Sequence, residues 1–366
     1  MKVRLRSRLV LAALLLVAAC GLIWLGCSEE PSVAPDYNQT GVSSAASKLP
    51  VQASDVAQVM AVQNRNTASL EKIEGVFGTA VGRDASGEAV ILVLTDRPDN
   101  NHIPAVVEGV PTRRLVTDRP ELFAKPDKPG GGGGGGGKVD LKSRADRPVP
   151  MGYSLGNYTE CASGTLGAVV YKGGNPYILS NNHVLARQNA GSPGEPIGQP
   201  GLYDNKPQCS GYWADTVGHL TQFVTVQTGA NANNTVDAAI AATSFDMVQC
   251  TTPNTFYGQP NTQTVEAALD LPIQKVGRTT ALTTGTVIGI NATVTITYAG
   301  ATTRFVDQVL TSSGFSKAGD SGSLIVTNDA NANPVALLFA GNRQGYTWGN
   351  RIQNVLQALN ISICGK

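Results

Sequence analysis

Hydrophobic and polar positions in the second half of the chain fall into short runs broken by turn residues. The runs "GTLGAVVYKGGNPYILS", "AAIAATS", "TGTVIGINATVTITY", "SGSLIVT" and "VALLFAG" are rich in β-branched and apolar side chains, with Gly, Asn, Asp or Ser between them. This pattern predicts strands joined by polar turns. One segment has a helical period instead: "NRIQNVLQALNI" places Ile352, Val355, Leu356 and Leu359 on one face. Many strands and one terminal helix predict a single β-barrel or sandwich domain of about two hundred residues, taken as residues 151–366.

Upstream the pattern changes. From Val51 to Ile73, apolar residues at Val56, Val59, Met60 and Val62 lie close to helical spacing. The runs "GVFGTAVGRD" and "EAVILVLTD", separated by "ASG", then predict a hairpin. Together they predict a small α+β unit over residues 51–124. The segment "KPDKPGGGGGGGGKVDLKSRADRPVP" follows and is read as a flexible linker over residues 125–150. It is not a phosphate-binding loop, because Val139 stands where Ser or Thr must follow Lys138 and no strand precedes the glycines. Lys138, Lys142, Arg144 and Arg147 make it the exposed place for proteolytic cutting.

The first residues set the compartment. Lys2, Arg4, Arg6 and Arg8 precede an apolar run from Leu9 to Leu25, the pattern of an export signal, taken as residues 1–27. Cys20 in "LVAAC" and Cys27 in "WLGCSEEP" both follow small residues, as a lipid-attachment cysteine does. The polar "SEEPSVAPDYNQ" after Cys27 favours it, and residues 28–50 then form a flexible tether. An uncleaved anchor is the alternative, the apolar run being at the low edge of spanning length. Both readings put the rest outside the cytoplasm: lipid-anchored in the cell envelope, on its periplasmic or outer side, or secreted. Cys161, Cys209, Cys250 and Cys364 then predict one or two disulfides, with three pairings open. A net charge of +1 with 15% charged residues leaves no electrostatic footprint for nucleic acid. Three histidines and no CxxC or HExxH pattern give a metal little to bind, so no cofactor is expected.

Candidate chemistry centres on "FSKAGDSGSLIV". A serine hydroxyl needs a base within hydrogen-bond reach and a third group to orient that base. Ser321 lies between Gly319 and Gly322, where the backbone can bend tightly and aim the amides of Gly319 and Ser321 at one oxyanion. His183 in "YILSNNHVLA" ends an apolar strand, beside a core but facing out. His219 in "TVGHLTQF" reads as an ordinary strand position. Asp237 in "NTVDAAIAA" is an acid among apolar neighbours, which needs a partner. Asp215 in "YWADTVG" has turn-like neighbours and reads as a solvated acid. The order His183, Asp237, Ser321 excludes the α/β-hydrolase arrangement and matches the chymotrypsin order on two β-barrels.

The motifs "LSNNHV", "VDAAIA", "VGRTTALTTGTVIGINATVTITY" and "AGDSGSLIV" resemble the chymotrypsin-like serine peptidases, and among them the bacterial branch that includes α-lytic protease and the streptogrisins. Bacterial sequences of unassigned role share "PVPMG", "GQPGLYDN", "LLFAGN" and the closing helix, so the resemblance covers Met151 to Lys366. It implies a mainly β, two-barrel fold with a C-terminal helix, behind a propeptide-like N-terminal domain that assists folding or blocks the site until the linker is cut. It also implies peptide or protein substrates, Asp320 as buried support of the active-site turn, and Phe315, Gly341 and Asn342 along the substrate pocket. Three positions depart from the pattern. Ser323 replaces a glycine, Asn181 and Asn182 precede the base, and no serine near Ala340 is offered to the catalytic acid. The expected activity is endopeptidase, with the membrane involved only through a lipid anchor. The competing expectations are an envelope protein that binds a protein partner without catalysis, and an enzyme that cuts itself once.

Overall fold

The expected upstream helix is α1 (Ala53–Leu70), and the hairpin after it is β1 (Val76–Arg83) with β2 (Ala89–Thr95). The Asp84 carboxylate closes the turn by accepting the amides of Ser86 and Glu88. β3 (Val106–Val107), β4 (Val110–Val116) and β5 (Glu121–Leu122) follow. The apolar side of α1 packs Val59, Val62 and Leu70 against Val81, Ile91 and Val93. The structure, a computed structural model, describes residues 53–122, 139–211 and 213–366. The export signal, Cys20, Cys27, the tether and the glycine run lie outside the described residues.

The larger region begins with β6 (Ser154–Asn157), β7 (Gly164–Thr165), β8 (Ala168–Lys172) and β9 (Asn175–Ser180). The short helix α2 (Asn182–Leu185) comes next, then β10 (Pro196–Gly198), β11 (Thr216–Phe223), β12 (Gly229–Asn234) and β13 (Ala239–Ala242). The remainder is β14 (Pro272–Gly277), β15 (Ala281–Tyr298), β16 (Ala301–Thr311), β17 (Leu324–Thr327), β18 (Pro334–Gly341) and β19 (Thr347–Arg351). α3 (Ile352–Leu359) and β20 (Ser362–Ile363) end the chain.

Two sheets result. In the first, β8, β9, β13, β11, β10 and β6 lie side by side, with β20 beyond β8 and β7 beyond β6. Its core holds Leu155, Val169, Ile178, Leu179 and Ile240, capped by Ile352, Val355 and Leu359 of α3. In the second, β14 pairs with β15, β15 with β16, β16 with β19, β19 with β18, β18 with β17, and β17 returns to β14. The ring is closed, so these strands have no free edge among themselves. Ile273, Val287, Val309, Ile325 and Leu338 fill it.

The N-terminal elements extend this second sheet. β1 pairs antiparallel with β15, setting Thr79 opposite Thr293, and β5 pairs with β18. The expected linker also changes character within its span. From Val139 the chain is placed against the first sheet, with Leu141 and Val149 buried and Val149 bridged to Val248. The Arg147 guanidinium fastens it there, donating to the Gln199 side chain and to the carbonyls of Gln199 and Asp215. Of the three cysteine pairings, the fold selects Cys161–Cys209 and Cys250–Cys364. Two disulfides suit an oxidising compartment. Among the described residues no helix is long and apolar enough to cross a membrane.

Candidate active site

Strand β9 ends at Ser180, and the next four residues turn into α2 against β6 and β13. The two asparagines that precede the histidine are struts. Asn181 Nδ2 donates to the Asp237 carbonyl at 2.7 Å, and Asn182 Nδ2 donates to Asn189 Oδ1 at 2.7 Å and to the Val224 carbonyl at 2.8 Å. Asp237 lies just ahead of β13 and is fully buried. Its Oδ1 accepts the His183 backbone amide at 3.1 Å, and its Oδ2 meets His183 Nδ1 at 2.6 Å. An ionised carboxylate only accepts, so Nδ1 carries the proton and Nε2 is left as a lone-pair acceptor. Among the described residues Nε2 takes no hydrogen bond. The histidine was expected to face out, yet it is only 1% exposed, because α2 folds back over the barrel instead of projecting from it.

Ser321 sits in the turn between Ser316 and β17. Gly319 at φ 96° and Gly322 at φ 91° are both in the left-handed region that glycine enters without strain. The amide of Asp320 donates to the Lys317 carbonyl, that of Gly322 to Leu338 and that of Ser323 to Asp320. The amides of Gly319 and Ser321 take no acceptor among the described residues. Ser323, in place of the usual glycine, fits by turning its hydroxyl onto the Asp320 carbonyl at 2.6 Å. The Ser321 hydroxyl is buried and faces the Phe339 carbonyl at 3.4 Å.

Asp320 anchors this turn from beneath. Its carboxylate accepts the amides of Thr279, Thr280 and Lys317 at 2.9, 3.1 and 2.9 Å and the Thr280 hydroxyl at 2.7 Å. The ammonium of Lys275, also fully buried, stands 3.4 Å from Oδ2. Burial pushes the Lys275 pKa down, and the Asp320 charge pulls it back up. The serine turn and the histidine helix meet at Gly164. A side chain there would lie 2.5 Å from Val184 and 3.0 Å from the Ser321 carbonyl, which accepts the Thr165 amide at 2.8 Å.

The other sequence candidates separate. His219 is exposed on β11. Asp215, expected to be solvated, is buried and paired with Arg144 at 2.8 Å, because Arg144 belongs to the segment that packs over it. Phe315, expected along the substrate pocket, lies in the second barrel's core with Ile273, Val287 and Leu338, where Gly285 leaves room for its ring. Gly341 and Asn342 are engaged by the chain's own N-terminal region. β5 sets Leu122 opposite Ala340 and Glu121 opposite Gly341. Asn342 Nδ2 donates to Thr117 Oγ1 at 2.6 Å and to the Asp118 carbonyl at 3.0 Å. Gln344 Oε1 accepts the Thr117 hydroxyl and the Asp118 amide. Leu122 packs with Phe339, Ala340, Tyr298 and Trp348.

Lys275, Tyr298 and Asn350 were not singled out from sequence. Lys275 had a signal, a lysine inside the apolar strand "LPIQKVG", which demands a buried counter-charge. The Tyr298 hydroxyl is buried without a hydrogen bond among the described residues, and burial together with the Asp237 charge holds its pKa well above the usual tyrosine value. Asn350 carried no sequence signal; its Oδ1 accepts the Asp237 amide at 2.9 Å. Among the described residues no group of three or more His, Cys, Asp or Glu is placed to hold a metal ion.

No family model and no curated protein matches the chain. Solved structures do. The chain is similar to Thermobifida fusca Protease A at 18% identity, covering 60% of this chain and 99% of that one with a TM-score of 0.41. A Nocardiopsis protease gives 18% identity, 60% and 99% coverage and a TM-score of 0.42. A glutamic acid specific serine protease gives 19% identity, 59% and 100% coverage and a TM-score of 0.42. The mainly β architecture, two sheets with a C-terminal helix, is read from this chain itself. The roles of individual side chains rest on the same structure.

Proposed function

We propose that the protein is a serine endopeptidase in which Ser321 is the nucleophile, His183 the general base and Asp237 the group that orients it. The observation that carries this reading is the buried His183–Asp237 pair at 2.6 Å, with Nε2 left as an unengaged acceptor. In this reading the Ser321 hydroxyl leaves its long contact to the Phe339 carbonyl and donates to Nε2. His183 then takes the hydroxyl proton as Oγ attacks the peptide carbonyl, and gives it to the leaving amine as the acyl-enzyme forms. Water repeats the sequence to release the acid. Asp237 stabilises the imidazolium formed at each step, and the amides of Gly319 and Ser321 receive the oxyanion.

The N-terminal unit holds the site closed. An extended peptide substrate lies along β18, where β5 now lies, so the unit leaves or is cut before another chain binds. Self-cleavage within residues 125–150 provides that step. The protein is exported and held to the envelope through lipid on Cys27 or Cys20. The alternative, a peptide-binding envelope protein without catalysis, leaves the solvent-shielded His183–Asp237 pair without a purpose.

A fluorophosphonate probe tests the reading. Labelling should map to Ser321 and disappear in Ser321→Ala, with peptide hydrolysis falling by about 10⁶-fold. Equal labelling of parent and Ser321→Ala would overturn the assignment. Leu122→Lys, which disrupts β5 at Ala340, should speed labelling of the full chain if the N-terminal unit is the block.

A further inference from the structure

We infer that Asn350 and Gln308 form an amide clamp that positions the catalytic acid, an inference that rests on the peptidase reading. Among the described residues the Asp237 carboxylate receives hydrogen bonds from His183 alone. Its placement therefore falls to the backbone around it. The Asp237 amide donates to Asn350 Oδ1 at 2.9 Å, and Asn350 Nδ2 donates to Gln308 Oε1 at 2.7 Å. Gln308 Nε2 donates in turn to the carbonyl of Thr235 at 3.1 Å and to that of Val306. The clamp thus grips both ends of the Thr235–Asp237 segment.

Backbone polarity allows only one arrangement of these amides. An N–H at one end requires an oxygen on Asn350, and carbonyls at the other end require the nitrogen of Gln308. The two amides between them then match without choice. Asp237, Asn350 and Gln308 are all fully buried, so water cannot substitute for a lost partner. Asn350 and Gln308 are also direct cross-strand partners on β19 and β16. The acid is thereby carried on the connection that passes from β12 of the second sheet to β13 of the first, and is set in place by two strands of the second. The geometry of the His183–Asp237 pair then depends on how the barrels dock.

The test uses the full chain. In Asn350→Ala, fluorophosphonate labelling of Ser321 should slow about 10- to 100-fold, the scale of a small misplacement of a catalytic group. The downfield proton signal of His183 Nδ1–H should move or broaden, while circular dichroism stays that of the parent. Gln308→Met should give the same changes in smaller degree. Asn350→Asp places a second negative charge beside Asp237, so the acid limb of the labelling-rate profile should shift to higher pH. Simple loss of packing would not produce that shift. If Asn350→Ala does not fold, Gln308→Met and Asn350→Asp decide. Folded variants with the parent's proton signal, labelling rate and pH profile would overturn the clamp. Labelling that persists in Ser321→Ala would instead overturn the peptidase reading, leaving the proton signal to judge the clamp.

Discussion

Asp237 and Asp320 are both fully buried carboxylates at the same site, and they are stabilised by opposite means. Asp320 has a permanent counter-charge in Lys275 and four further donors from Thr279, Thr280 and Lys317. Asp237 has no permanent cation. It has one backbone amide and one imidazole N–H, and its surroundings otherwise hold its main chain rather than its charge. A fixed charge beside a fixed cation makes a rigid support. A carboxylate left short of positive charge is suited to the imidazolium that the proposed reaction creates. The difference supports the proposed reading, in which one aspartate is architectural and the other takes part in the reaction.

Asp237→Asn gives the largest expected effect. The amide no longer enforces the Nδ1–H tautomer, so the rate of hydrolysis and of Ser321 labelling should fall by about 10⁴-fold, with little change in melting temperature. Lys275→Met should do the reverse. It leaves a buried carboxylate without its cation, and urea unfolding should show a loss of about 3–5 kcal/mol. A cost below about 1 kcal/mol would mean that the four neutral donors suffice on their own. Thr280→Val removes only the hydroxyl at 2.7 Å from Asp320, and the expected loss is about 1–3 kcal/mol.

The smallest effect is in pH dependence. Burial lowers the Lys275 pKa, so in the window between its folded value and the ordinary 10.5 the unfolded chain holds a proton that the folded chain has released. The unfolded state binds more protons there, so this lysine makes stability rise with pH across the window. Activity should fall in the same window as the cation under the serine turn is lost. Unfolding free energies of parent and Lys275→Met, compared across that range, would show the rise in the parent only.

Much of this was legible along the chain. The strands follow from alternation and turn residues, α3 from its helical period, and the tight turn at Ser321 from the glycines that flank it. Asp237 could be found because an acid among apolar neighbours is costly without a partner, and Lys275 could have been found by the same reasoning. Other features were not legible. Asn350 and Gln308 have no hydrophobic period and no motif, and they matter only because β16 and β19 pair in one register. Asp215 read as solvated because nothing in its neighbourhood in sequence announces Arg144.

The sequence by itself determined which segments are strands, which residues are candidates for chemistry, and the order in which they occur, since these depend on local period and residue type. Tertiary structure alone decided the cysteine pairing, the burial of His183, the seating of β5 on β18, and which side chains hold Asp237. Each of those joins residues far apart in the chain, and such contacts are selected by how two barrels close and dock. No local propensity encodes that choice.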